Sequence, residues 1–93
     1  MKIPRHILIK GTKYKIKKNF DFKDKEMLGL CDKQNKIIYL SKHQTDKELR
    51  NTFIHELLHA LLQETALDAS LDQLEEPLCY AISEFIDQIL LEL

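Results

Sequence analysis

A chain of 93 residues has room for one domain, spanning 1–93, and none for a second. Its 14 basic and 15 acidic residues leave a formal net charge of -1. That balance excludes a whole-molecule pull toward nucleic acid or an anionic membrane, so neither is expected as a partner. The 44% apolar content suits a globular protein, but so short a chain buries only about 60–65% of its unfolded surface. A bound metal would then add materially to stability, because binding energy becomes folding energy when the site exists only in the folded state.

The N-terminal "MKIPRHILIK" starts basic, but its apolar run is far too short for a signal peptide. No segment approaches the roughly 18 apolar residues of a membrane-spanning helix. The expected location is the cytoplasm. "HILIKGTKYKIKK" alternates apolar and polar residues on both sides of Gly11-Thr12, with Ile7 and Ile9 before and Tyr14 and Ile16 after. Period-two alternation around a glycine predicts a hairpin. Residues 1–18 carry Lys2, Arg5, Lys10, Lys13, Lys15, Lys17 and Lys18 and no acid, whereas residues 64–92 carry acids and no lysine or arginine. Lysines on the solvent face of an edge hairpin block edge-to-edge aggregation, and weak docking of an acidic or nucleic-acid partner is the other use for them.

"NFDFKDKE" is polar and predicts a loop. "MLGLCD" and "KIIYLS" predict a second strand pair, joined by a turn at Asp32-Lys33-Gln34-Asn35. The two cysteines, Cys31 and Cys79, lie in apolar segments and read as buried thiols.

The period then changes. In "QTDKELRNTFIHELLHALLQET", Thr45 with Glu48 three residues on has the spacing of a capping box. At about 100° per residue, Leu49, Phe53, Ile54, Leu57, Leu58, Ala60, Leu61 and Leu62 cover more than half of the helix circumference. Thr52, His55, Glu56, His59 and Gln63 share the remaining arc. An acidic link of roughly residues 66–74 leads to a last helix, with Pro77 in its first turn and Cys79, Ile82, Ile86, Ile89 and Leu90 as its core stripe. The expected class is α+β: a small three- to four-stranded sheet packed on a central helix and a C-terminal helix.

"HELLH", residues 55–59, carries the chemistry. His55 and His59 are one helical turn apart, so both imidazoles point the same way and reach one tetrahedral zinc ion, Zn2+, one per chain. Glu56 lies about 100° around from His55. It misses the metal and still reaches a water there, as the general base of a zinc hydrolase does. A catalytic zinc wants a third protein ligand. No histidine follows His59, so a third ligand from the C-terminal side is not a histidine. A glutamate is the natural candidate, and Glu75 and Glu76 open the last helix; for either one, the helix dipole is a second reason to be there.

"TFIHELLHALL" resembles the active-site helix of zincin metallopeptidases, most closely the small phage and mobile-element proteins related to the ImmA/IrrE and SprT-like groups. The resemblance runs from "LGLCDKQNKIIYLS" through "EEPLCYAISEFI", roughly residues 28–92. It implies a minimal zincin core whose edge strand runs alongside the substrate, with His55 and His59 as ligands and Glu56 as base. It favours Glu76 as third ligand, of gluzincin type, with Glu75 the alternative. It also implies a protein or peptide substrate, of repressor type in such relatives, in the host cytoplasm if the gene is a phage's. Relatives of this group are longer, so the chain resembles a bare catalytic core. His43 is expected as a solvated loop residue, with orienting a substrate or stabilising an oxyanion as its other use. Tyr39, in the strand that the resemblance places beside the substrate, and Tyr80 are expected as core residues, with a hydroxyl near the zinc as the alternative for both. Two functions follow: a zinc metallopeptidase with a specific protein partner, or a non-catalytic zinc-binding interaction protein of phage or mobile-element origin.

Overall fold

The computed structural model describes residues 2–65 and 75–92, the latter without the side chains of Glu75, residues 84–85 and residues 87–92. Strands β1 (His6–Ile9), β2 (Thr12–Phe20), β3 (Gly29–Asp32) and β4 (Ile37–Ser41) precede helices α1 (Asp46–Glu64) and α2 (Glu75–Glu92). The class is α+β, a four-stranded mixed sheet with two helices, consistent with a small zincin-like core.

The first hairpin turns on Lys10 and Gly11, both at positive φ (50° and 85°), between the paired Ile9 and Thr12. Two consecutive left-handed residues give the turn the twist that matches its flanking strands, and glycine makes the second one cheap. β2 runs on through Phe20, so the predicted "NFDFKDKE" loop begins two residues later than expected. The strand order is β1-β2-β4-β3, with β2 and β4 parallel and both outer pairs antiparallel. β2 is therefore interior, and its lysines do not guard an edge.

Alternation sends Tyr14 and Ile16 of β2 and Ile38 and Leu40 of β4 to the helix side. There they pack with Ile3, Ile9, Phe53 and Ala60 as one core. Ile38 and Leu40 are fully buried, each worth about 1.5–3 kcal/mol relative to exposure.

α1 starts as its sequence dictates. The Thr45 hydroxyl accepts the Glu48 N–H at 3.1 Å, and the Glu48 carboxylate accepts the Thr45 N–H at 2.8 Å. Its far end is held by Glu64. A carboxylate in a last helical turn opposes the helix dipole. This one accepts from Thr12 Oγ1 (2.9 Å), the buried Tyr14 hydroxyl (2.7 Å) and Lys36 Nζ (2.8 Å). Lys36, and after it Tyr14 and Thr12, hold the Glu64 carboxyl down at about 2, and burial together with Glu64 pushes the Tyr14 phenol up. The network ties α1 to β2 and to the β3–β4 turn.

α2 runs from Glu75, so Pro77 lies in its first turn as expected, where its missing N–H falls among the unpaired donors. Cys79 is buried as expected, but Ile82 is 40% exposed and is not a core residue. The side chains of Ile89 and Leu90, expected in the core, are not among those described, and the link at 66–74 lies outside the described residues. Among the described residues no helix is long and apolar enough to cross a membrane.

Candidate metal centre

The polar arc of α1 is buried except at Gln63, which is half-buried. Thr52, His55, Glu56 and His59 are all under one-tenth exposed, which fixes their rotamers by packing. α2 crosses α1 so that Glu76 reaches both histidines. His59 Nε2 lies 2.5 Å from one Glu76 carboxylate oxygen, and His55 Nε2 lies 3.4 Å from the other. The two Nε2 atoms are 3.2 Å apart. One ligand atom from each of the three residues falls within 4.8 Å of the others.

The donor chemistry of this cluster fits a cation. Two imidazole nitrogens and a carboxylate aim lone pairs at one small volume, and hydrogen bonds among themselves satisfy only part of them. Burial above all, and then His59, holds the His55 imidazolium below the ordinary histidine range, so His55 is set as a neutral donor. Its Nδ1 is buried and has no hydrogen bond of standard geometry. Glu76 and, least of all, the Cys79 main chain act the other way on this imidazole and favour its protonated form.

Glu56 stands apart from the three-residue cluster. Burial pushes its carboxyl up from 4.5 to about 7, opposed by His59 and helped by Glu76. Its position follows from Gly29, the first residue of β3. A Cβ at Gly29 would lie 2.6 Å from Thr52 Cγ2, 3.1 Å from Glu56 Oε2 and 3.2 Å from Glu56 Cγ. Only glycine lets the strand come this close to the helix. Gln44 fixes the approach: its amide donates to the Leu28 and Ser41 carbonyls (3.1 and 2.9 Å), and its oxygen accepts from Thr52 (2.9 Å).

β3, an edge strand of the described sheet, and α2 wall an open cleft of about 630 Å³ with the cluster at its base. The Ser41 N–H donates to the Leu28 carbonyl, so Leu28 faces β4 and alternation turns the Gly29 main chain toward the cleft. Met27, Leu30 and the half-buried Cys31 line the β3 side, and neither Cys31 nor Cys79 is in a disulfide.

The structure brings the predicted His55, His59 and Glu76 side chains together, with Glu56 beside them; the Glu75 side chain lies outside the described residues. Sequence reasoning misplaced Tyr80. That ring is 58% exposed and forms the opposite wall of the cleft, its centroid 4.3 Å from that of His55. The signal was available: Tyr80 is four residues past Glu76 and shares its helix face. Tyr39 is on interior β4, so the strand alongside the cleft is β3. His43 is half-exposed beside Asp21 (3.5 Å) and takes no part in the cleft. Gln44 and Gly29 were missed, because their roles depend on how β3 meets α1.

Residues 6–79 match the model of the peptidase M78 family, the IrrE N-terminal-like domain. The chain belongs to that family. No curated protein and no solved structure matches it significantly. The match ends at Cys79, just past Glu76, so it includes every member of the metal cluster.

Proposed function

We propose that this M78 domain is a zinc-dependent peptidase that cleaves a specific protein partner. The observation that carries the reading is the meeting of Glu76 with His55 and His59 beside a buried, separately held Glu56. Two imidazoles and one carboxylate are a catalytic donor set for zinc, leaving a fourth position open, and suit zinc better than a harder cation. A zinc ion there supplies Lewis-acid activation of water and of the scissile carbonyl.

The rest is work for the chain's own residues. Glu56 takes the proton of the attacking water at its carboxylate and delivers it to the departing amine nitrogen. A carboxyl raised to about 7 is near the pKa wanted for both halves of that transfer, and a neighbouring cation would draw it back toward ionisation. The Gly29 main chain on the cleft side of β3 hydrogen-bonds an extended substrate, and Met27 and Leu30 pack its side chains. Tyr80 closes the far wall over His55. By resemblance, the substrate is a repressor-type protein met in the cytoplasm, the host's if the gene is a phage's.

A zinc-binding interaction protein without activity is the competing reading. It gives no reason to bury a carboxyl beside the ligands without using it as one. Incubation of zinc-loaded protein with a degenerate peptide mixture, read by mass spectrometry, separates the two. New termini with the wild type and none with Glu56→Gln support the peptidase. Cleavage that persists in Glu56→Gln, or no cleavage of peptides or whole-proteome protein by fully zinc-loaded wild type, refutes it.

A further inference from the structure

The face of the sheet turned away from the helices carries a feature that the peptidase chemistry does not use. Lys13, Lys15 and Lys17 of β2 all point outward and are exposed. None has an anionic partner among the described residues, whereas Lys25, Lys36 and Lys42 each do. Like charges at alternate positions on one strand face repel at roughly 7 Å, and lysine is a poor strand residue. Protection of an edge does not account for them, because β2 is hydrogen-bonded on both sides.

The row has apolar neighbours. Lys17 is level with Tyr39 on β4, and Tyr39 with Leu30 on β3. Phe20 packs on Tyr39 at 4.7 Å. Leu30 is 41% exposed and also lines the cleft. An unbroken cross-strand line therefore runs from the cleft rim to the middle of the lysine row.

We propose that this outer sheet face is an exosite that docks an acidic segment of the protein substrate, with interspersed apolar side chains, while the cleft holds the scissile segment. Calling the partner a substrate rests on the peptidase reading; the docking surface itself does not. Three lysines at a two-residue period match carboxylates on alternate residues of an extended chain. Tyr39, Phe20 and Leu30 offer that chain apolar contact. A single-stranded nucleic acid fits less well, because it needs open aromatic faces for its bases. Here the Tyr39 ring is half-buried, with Phe20 tilted against it and Lys17 Nζ 5.6 Å above it.

The test uses a fluorescein-labelled peptide alternating glutamate with alanine and leucine, a lysine-for-glutamate counterpart, and a twelve-nucleotide oligothymidylate. Anisotropy is followed with the zinc-loaded chain at low and physiological salt. The glutamate peptide should bind, weaken with salt, and lose at least tenfold in affinity in the Lys13→Glu/Lys15→Glu/Lys17→Glu variant; Glu56→Gln should bind as the wild type does. The triple glutamine variant replaces the charge reversal if the latter fails to fold by circular dichroism. No binding of the glutamate peptide, equal binding by the lysine variants, or tighter binding of the oligothymidylate overturns the exosite. Docking lost with zinc and cleavage intact refutes the exosite alone. Zinc or cleavage absent with docking intact refutes the peptidase and leaves the surface standing.

Discussion

Glu56 should make the metal-free protein less stable as the pH rises. Its carboxyl ionises near 4.5 in the unfolded chain and at about 7 in the fold, because burial disfavours the charge. Between those values the folded protein holds a proton that the unfolded chain has lost, so stability falls as pH increases through that window and levels off above it. At 1.36 kcal/mol per pKa unit the loss is roughly 3 kcal/mol, a large share of what a domain this small has. Glu56→Gln keeps the shape and cannot ionise. Urea unfolding of both proteins in chelator, at pH 4.5 and pH 8, measures the difference. The variant should gain on the wild type by roughly 3 kcal/mol between the two pH values. Zinc should shrink that gap, since a nearby cation favours the ionised form. Parallel stability curves in chelator, or a gap that opens the other way, would refute the burial argument.

Other substitutions test the frame around the site. Gly29→Ala drives a methyl into Thr52 and Glu56, so urea midpoints should report about 1–3 kcal/mol of destabilisation, with peptide cleavage falling further than the folded fraction does. Glu64 adds stability that is present above about 4.5 and is lost as pH falls toward about 2, its folded-state value. Lys36→Met removes the largest cause of that depression, so acid titration of the variant should show its loss starting from a lower plateau and changing less steeply. Thr45→Ala breaks the capping box and should cost about 1 kcal/mol by the same unfolding assay, without moving zinc affinity at saturating metal.

What the sequence made legible was local. The capping box, the one-turn spacing of His55 and His59, the Gly11 turn and the start of the last helix all lie within a few residues of their causes. Glu76 could be narrowed to a pair because α2 had to bring a ligand that α1 lacked. The rest depended on contacts between distant segments. Alternation put Lys13, Lys15 and Lys17 on one face, but only the parallel pairing of β2 with β4 made that strand interior. Glu64 looked like any helix-end acid, and its donors lie 28–52 residues away. Tyr80 was assigned to the core by residue type, although its helix face, shared with Glu76, already pointed to the cleft.

The most direct measurement is the metal content of the purified chain by elemental analysis, for wild type, His55→Ala, Glu75→Ala and Glu76→Ala. The account predicts one zinc per chain in wild type and in Glu75→Ala, and its loss in His55→Ala and Glu76→Ala. No stoichiometric metal after zinc is supplied, or metal retained without Glu76 and lost without Glu75, would contradict it.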